Sequence, residues 1–241
     1  MKPLFGFLML MSFHSIAQQN FFNVPSSDIT PKNKVFFQQQ VNLSKEALQS
    51  STTLSYGLGR EWEIGVNALG ITYDEAKHDL LSNNDNTPYA PLFAANFQKK
   101  FHLDNHLSIS AGTQIGCNEK GKGAAYIYAN SVYSIEKTHT KLVGGLYTSS
   151  NGFFGSETRN WMDKSFVRYA GIQAGMEQHI WKEKLLFQAD FISGKHDLGE
   201  LVLGGAYAVA KSWIVSAGYQ IPTFHSHSVK AVVLELTYSH S

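Results

Sequence analysis

The sequence predicts an all-β protein, an up-and-down antiparallel transmembrane β-barrel of about twelve strands. Three observations support this prediction. Segments of about ten residues alternate apolar and polar side chains from Lys34 to Tyr238. The joints between these segments are alternately short and long. The first residues have the pattern of an export signal, which indicates a destination outside the cytoplasm.

The N-terminal residues show the parts of a signal peptide. Lys2 supplies a positive charge, Leu4 to Phe13 form an apolar run, and Ser15-Ile16-Ala17 places small residues at the two positions that a signal peptidase reads. We therefore expect residues 1–17 to be removed and residues 18–241 to form the barrel. The apolar run is too short for a membrane-spanning helix, which needs about twenty residues. The residue directly after the cleavage site is Gln18 and not Cys, so a lipoprotein anchor is not expected.

Composition excludes several classes of function. Lys and Arg number 20 against 19 Asp and Glu, so neither a strongly basic nucleic-acid binder nor an acidic tail protein is expected. Cys117 is the only cysteine, which excludes an intramolecular disulfide and a zinc site built on cysteines. Mean hydropathy is slightly negative, and a barrel accommodates this because only every second strand residue meets lipid.

Twelve segments have the period-2 alternation of strands rather than the spacing of three and four that a helix needs. In the clearest, Tyr89 to Leu103, Phe93 and Phe97 share one face while Asn96 lies on the other, and Lys99 is the one breach of the apolar face. The predicted strands are 34–43, 50–58, 63–73, 89–101, 107–117, 124–135, 141–148, 166–178, 185–193, 201–210, 213–221 and 229–239.

The joints fall into two sets, as in a barrel with periplasmic turns at one end and extracellular loops at the other. An even number of strands places both chain ends on the periplasmic side. The longer set includes residues 74–88 and 149–165, while the short set comprises 59–62, 102–106, 136–140, 179–184 and 211–212.

Tryptophan placement gives independent support for this topology. Trp62, Trp181 and Trp213 lie at short joints, and Trp161 lies in a long one. Indoles favour the boundary between membrane and water, so we predict the first three at the periplasmic boundary. Turn-flanking core tryptophans of a soluble β protein are the alternative.

A sheet in hydrocarbon must close on itself to pair its backbone groups, and its polar face then lines the lumen. Two interpretations stay open: a conduit or binding cavity for a small-molecule cargo, or an interior filled by side chains that hydrogen-bond to each other. Neither needs a metal or cofactor. The lumen-lining candidates are Gln38, Gln40, Asn67, Asn96, Gln98, Gln114, Gln173, Gln188, Asp190 and Glu235.

Three stretches carry a resemblance to a known family: Leu54-Ser-Tyr-Gly-Leu-Gly-Arg-Glu-Trp-Glu-Ile-Gly-Val66, the hairpin from Phe101 to Ile109, and the lead-in from Asn23 to Phe37. The chain resembles the outer-membrane transporter family named for the meta-pathway of phenol degradation, within the wider group of barrel channels for hydrophobic compounds. The resemblance implies a barrel that passes small or apolar molecules, and it carries over no catalytic residues. No N-terminal plug or hatch domain is recognised, so energised uptake is not expected.

A lipid hydrolase is the alternative from another class. Ser149-Ser150-Asn151-Gly152 resembles the second half of a His-x-Ser-Asn-Gly pattern of an outer-membrane phospholipase, but Thr148 stands in place of the histidine. Without a base the serine is not activated, unless His225 or His227 supplies one. The two histidines make a weak metal site because no third ligand lies beside them.

The sequence thus predicts a non-enzymatic outer-membrane barrel that passes small molecules by passive transport. Its expected partners are outer-membrane lipid and a small-molecule cargo, with no nucleic acid. A structural or surface-interaction barrel with a filled lumen is the main alternative. Lys120-Gly121-Lys122 is interpreted as an exposed loop that could meet lipopolysaccharide.

Overall fold

The structure is a computed structural model that describes most of the chain. The described residues are 20–45, 47–74, 79–80, 91–118, 121, 123–150, 170–181, 184–194, 196, 198–224, 226 and 228–240. Several predicted features lie outside them, namely the signal peptide, Trp161, Lys120, Lys122, His225, His227, Asn151-Gly152 and most of the two long joints.

The described residues form strands almost throughout, as their alternation predicts. No helix among them is long and apolar enough to span a membrane. The strands are β1 (Val35–Leu43), β2 (Ala47–Gly59), β3 (Trp62–Asp74), β4 (Asp79–Leu80), β5 (Leu92–His102), β6 (Leu107–Asn118), β7 (Gly123–Ile135), β8 (Thr140–Ser149), β9 (Gly171–Trp181), β10 (Leu185–Ile192), β11 (Glu200–Ala210), β12 (Trp213–Pro222) and β13 (Ala231–Tyr238).

Twelve of these strands close into an all-antiparallel barrel, which confirms the predicted fold class. Each barrel strand pairs with the next barrel strand along the chain, so that β3 pairs with β5. The two-residue β4 pairs with the end of β3 and is not counted in the barrel. The ring closes between β1 and β13, where Phe37 lies opposite Tyr238. Closure pairs the backbone groups on both sides of every barrel strand, which is the condition for crossing a membrane as a sheet.

The two ends of the barrel differ in their connections. At the short-turn end the strands are joined by residues 60–61, 103–106, 136–139, 182–184 and 211–212, and the joints at the opposite, long-loop end include residues 75–91 and 150–170. The tightest turn places Arg60 and Glu61 at φ 53° and 62°, the positive values that a type I′ hairpin needs. Val35 and Tyr238 both lie at the short-turn end, as the even strand count predicts.

The predicted alternation of faces is observed around the ring. On β5, Phe93 and Phe97 point outward and are 51% and 46% exposed, whereas Gln98 points inward and is 7% exposed. Lys99, the predicted breach, lies on the outer face with its ammonium group 5.1 Å from the Trp62 ring centroid, and it donates to a backbone carbonyl in the adjoining turn. An outer surface of large apolar side chains is the surface that lipid requires.

The interior of the barrel holds the residues that precede β1. We call Asn20–Lys34 the lumen segment. It begins with a tight hairpin in which the Phe21 N–H donates to the Val24 carbonyl at 3.2 Å, and Asn20 pairs with Pro25. Phe21 and Val24 are 1% and 0% exposed. No N-terminal plug or hatch domain was expected, and the structure places a short segment without regular secondary structure inside the barrel.

Candidate functional site in the barrel lumen

The ten lumen-lining candidates all lie at inward-facing positions of their strands. Asn96 and Gln114 are half-buried, and the other eight are at most 9% exposed. Several of them bind other wall residues. Gln173 donates to Asn130 Oδ1 at 2.6 Å and accepts from the Tyr126 hydroxyl at 2.6 Å. These hydrogen bonds join β9 to β7 across the intervening β8 and fix the side chains of the wall.

Asp190 is the main acceptor for the backbone of the lumen segment. Its Oδ2 atom accepts hydrogen bonds from the N–H groups of Phe22, Asn23 and Val24 at 3.0, 2.5 and 3.0 Å. Three successive N–H groups that converge on one oxygen form a nest for an anion, and hydrogen bonds to a charged acceptor are stronger than neutral ones. One wall carboxylate therefore fixes the tip of the hairpin.

Amide side chains of the wall bind the next carbonyl groups of the segment. Asn130 donates to the Pro25 carbonyl at 2.6 Å, and Gln98 donates to the Ser26 carbonyl at 2.9 Å. Ser27 then meets a wall residue directly, with its hydroxyl 2.7 Å from that of Ser108. These contacts come from three consecutive strands, β5 to β7, so the segment crosses the lumen along that part of the wall.

Charged contacts hold the segment near the short-turn end. Glu63 accepts from both the N–H and the hydroxyl of Thr30, at 2.8 and 2.6 Å. The Asp28 carboxylate accepts a hydrogen bond from the Lys141 ammonium group at 2.9 Å, and its other oxygen lies 3.8 Å from the Lys100 ammonium group. Burial acts to raise the pKa of the Asp28 carboxyl, but the two ammonium groups hold it below its ordinary value. Asp28 is thus charged at neutral pH and ion-paired.

Apolar contacts complete the docking of the hairpin. Phe21 and Val24 pack in one buried cluster with Tyr126 and Tyr147, whose rings stack at a centroid distance of 5.4 Å. A Cβ atom on the inward-facing Gly175 would lie 2.8 Å from the Phe21 ring, so the absence of a side chain there makes room for the ring. Phe22 packs separately, against valines of β11 and β13.

Sequence reasoning missed several wall residues that bind the segment or each other. They occupy inward positions of strands whose alternation was recognised, so the period-2 pattern alone could have found them. No comparable signal marks the lumen segment, because its partners are distant in sequence. The missed residues are Glu63, Lys100, Ser108, Asn130, Lys141, Glu177 and Glu200.

The three boundary tryptophans lie at strand ends on the short-turn side of the barrel. Trp62, Trp181 and Trp213 are 47%, 55% and 37% exposed. Trp213 also meets the Tyr238 ring edge-on, at a centroid distance of 5.1 Å. Exposed indoles at one end of an apolar surface are what the predicted position at the membrane–water boundary requires.

The residues considered for a hydrolase are engaged in structural hydrogen bonds. The Ser150 hydroxyl oxygen accepts from the Ala125 N–H at 2.9 Å, and the Ser149 hydroxyl donates to the Ser150 carbonyl at 2.9 Å. His196, the buried histidine of the β10–β11 loop, lies 2.6 Å from the Tyr147 hydroxyl. Within the described ranges, no group of three or more His, Cys, Asp or Glu side chains could hold a metal ion.

Comparisons with known proteins show the fold. No protein-family model matches the chain, and no curated protein sequence is significantly similar to it. The structure of the NanC porin aligns with a TM-score of 0.55 and 9% identity over 86% of this chain and 100% of that chain. The KdgM porin aligns with a TM-score of 0.55 and 7% identity over 86% of this chain and 99% of that chain.

The closed barrel and its apolar outer surface define the class of the protein as a transmembrane β-barrel. More particularly, the protein has twelve barrel strands, shares its fold with the NanC and KdgM porins, and has its N-terminal segment docked in the lumen.

Proposed function

We propose that the protein is a passive channel for small molecules across the outer membrane, and that the lumen segment is its plug. The observation that carries this proposal is the mode of attachment of the segment. Among the described residues it continues covalently into the barrel only at Val35, at the short-turn end. Its other contacts are noncovalent, so the segment can leave the lumen while all the strand pairs of the barrel stay intact.

The orientation follows from the joints and the tryptophans. We assign the short-turn end to the periplasm and the long-loop end to the cell exterior. The plug then enters from the periplasmic side, where its covalent connection lies. Loops 74–88 and 149–165, which join strands at the long-loop end, are proposed to gate the path. Outer-membrane lipid is proposed to surround the apolar outer surface of the barrel.

The polar side chains of the wall favour a polar cargo as the first candidate. Eight of the ten predicted lumen residues are amides, and the remaining two are carboxylic acids. An apolar cargo, which the resemblance to the phenol-pathway family implies, is the second candidate. The tyrosine side chains of Tyr126, Tyr128 and Tyr147, which pack with Phe21 in the structure, support it because a vacated lumen would expose them. We propose no catalytic activity, since Ser150 is bound to a backbone N–H rather than to a base.

A reversible disulfide tests the channel and the plug together. The hydroxyl oxygens of Ser27 and Ser108 are 2.7 Å apart, close enough for the pair Ser27→Cys and Ser108→Cys to form a bond of about 2.05 Å after a small adjustment. Cys117 is changed to Ser to leave only that pair. In planar bilayers, we expect the oxidised protein to be silent and the reduced protein to conduct. The two single-cysteine variants are controls and should conduct under both conditions.

The outcomes separate the candidate functions. Conductance that is equal in the oxidised and reduced protein would show a channel that the segment does not close. If the reduced and wild-type proteins are both silent, the channel proposal is wrong. A structural barrel with a filled lumen is then the better account, and the dense hydrogen bonding between wall and segment already favours it as the second candidate.

A further inference from the structure

The wall of the lumen binds the backbone of the lumen segment at five consecutive residues, 22–26. The N–H groups of residues 22–24 donate to Asp190. The carbonyl oxygens of residues 25–26 accept from Asn130 and Gln98. Every peptide has such groups, because each residue other than proline has one N–H and one carbonyl on its main chain. These three wall side chains therefore recognise a peptide backbone rather than particular side chains.

Asn130 and Gln98 are oriented by other wall residues and not by the segment. The Tyr126 hydroxyl donates to Gln173, and the Gln173 amide donates to Asn130 Oδ1. The Tyr128 hydroxyl donates to Gln98 Oε1 at 2.8 Å. An amide whose oxygen is turned towards a wall donor has its NH₂ group turned towards the lumen. Both donors thus stay in position when the segment leaves, and preorganised groups lose little freedom on binding a ligand.

Two apolar pockets hold the adjacent aromatic side chains of the segment. Phe21 packs with tyrosines of β7 and β8, over the space that Gly175 leaves. Phe22 packs against valines of β11 and β13, and a Cβ atom on Gly218 would lie 2.9 Å from its ring. Both phenylalanines are at most 2% exposed. The pockets add a preference for two neighbouring aromatic residues to the recognition of the backbone, because each buries a large apolar side chain.

A peptide matches this set of wall groups better than other small solutes do. A carbohydrate presents hydroxyl groups, and a hydrocarbon has no hydrogen-bonding group. The wall instead binds consecutive N–H groups and then consecutive carbonyl oxygens, next to two aromatic side chains. A peptide with aromatic residues also combines the polar and the apolar candidate cargo. The lumen segment is therefore an intramolecular ligand whose place a separate peptide can take.

We infer that the vacated lumen binds short peptides that carry two adjacent aromatic residues, and that such peptides are the cargo of the channel. This inference rests on the proposed function, because peptide and segment compete for the same wall and the segment must withdraw first.

The binding test uses a fluorescent peptide with the sequence of residues 20–28, Asn-Phe-Phe-Asn-Val-Pro-Ser-Ser-Asp, blocked at both ends. The host is the full-length protein with Phe21→Ala and Phe22→Ala, which weakens docking of its own segment and leaves every wall residue in place. In anisotropy titrations of the folded barrel in detergent micelles, we expect saturable binding. It should be about 10²-fold tighter than binding to the wild-type protein, whose own segment occupies the site.

Controls separate recognition of the backbone from recognition of the aromatic side chains. A probe with both phenylalanines replaced by alanine should bind about 10²-fold more weakly. In the same host, Asn130→Ala removes one backbone donor and should lower the affinity about tenfold. Gly175→Ala narrows one pocket and should also lower it. The matched control is Asn105→Ala, an exposed asparagine of the β5–β6 turn, which should leave the affinity unchanged.

Passage is measured by release of the fluorescent peptide from sealed vesicles that contain the double-alanine host. We expect release from these vesicles and none from protein-free vesicles. Vesicles with the oxidised Ser27→Cys, Ser108→Cys protein should also retain the peptide, because the disulfide holds the segment in the lumen.

A second binding measurement keeps the wild-type segment, in case the double-alanine host does not fold. In the Ser27→Cys, Cys117→Ser protein, the new thiol reacts with a water-soluble maleimide when the segment leaves the wall. Unlabelled peptide should raise the labelling rate, because peptide bound to the wall keeps the segment out. The probe without phenylalanines should need about 10²-fold higher concentration for the same effect.

The outcomes that overturn the inference differ from those that overturn the channel. If the double-alanine host conducts ions in planar bilayers but binds no peptide, or binds both probes equally, the peptide class is wrong while the channel function stands. Binding without release would overturn the cargo role. If this host and the reduced disulfide protein are both silent, the channel function is wrong, and the inference fails with it.

Discussion

Replacement of Asp190 by Ala should release the lumen segment from the wall. The substitution removes the single oxygen that accepts hydrogen bonds from Phe22, Asn23 and Val24. A hydrogen bond to a charged acceptor contributes about 1.5–3 kcal/mol, and three bonds that share one oxygen are not additive. We therefore expect docking to weaken by about 3–5 kcal/mol, the loss that is usual when one partner of a buried charged contact is removed. Each 1.4 kcal/mol is tenfold, so the undocked population should rise about 10²- to 10⁴-fold.

Thiol labelling measures that population in the folded barrel. Ser27 is 1% exposed and its hydroxyl contacts Ser108, so a Ser27→Cys thiol reacts with a water-soluble maleimide only when the segment leaves the wall. With Cys117 replaced by Ser, the Asp190→Ala variant should label about 10²- to 10⁴-fold faster than its parent at neutral pH. Asp190→Asn, which keeps an acceptor oxygen but loses its charge, should fall between the two.

A rate that does not change would refute the reasoning. The barrel itself must be shown intact in each variant by its unaltered mobility on gels run without heating. If Asp190→Ala labels at the parental rate in an intact barrel, the three hydrogen bonds do not hold the segment. If the variant does not fold, the Asp190→Asn variant supplies the same comparison with a smaller expected effect.

Two further predictions concern the barrel wall. Phe97→Arg, near the middle of the outer face of β5, should lower the free energy of unfolding by about 2–4 kcal/mol, measured by denaturant titration of the barrel in lipid vesicles. Phe101→Arg, near the boundary, should lower it by about 0–1 kcal/mol. Equal losses would contradict the assigned membrane depth. Gly116→Ala should lower the folding yield, because its Cβ would clash with the Phe93 carbonyl oxygen. Gly144→Ala is the matched control, since a Cβ there meets nothing within 4 Å, and an equal loss in both would exclude the proposed clash.

The strands could be predicted because the alternation of apolar and polar residues that marks a strand lies within the sequence of that strand. Each strand has its own alternation, and the observed bounds differ from the predicted ones by at most three residues at described positions, as for β2, which begins at Ala47 rather than at residue 50. Residues 166–169, predicted as the start of the eighth barrel strand, lie outside the described part of the chain. Closure followed from the physics of a sheet in hydrocarbon rather than from any motif.

The lumen segment was not predictable for the opposite reason. Its contacts join residues far apart in sequence, such as Val24 with Asp190 and Pro25 with Asn130. The segment has no alternation, because its side chains face different parts of the wall in turn. Alternation identified Asp190 as an inward carboxylate, but the identity of the group it would bind depended on the closed barrel.

The reach of the lumen segment has a consequence for the order of assembly. Its hydrogen-bond partners lie on nine strands, from Gln38 on β1 to Glu200 on β11. A surface composed of so many strands exists only after the ring has formed. The stretch that precedes all the strands in the chain is therefore the last to find its place, and a nascent barrel has a solvent-filled interior until that step. A lumen segment that is docked therefore indicates that the barrel around it has closed.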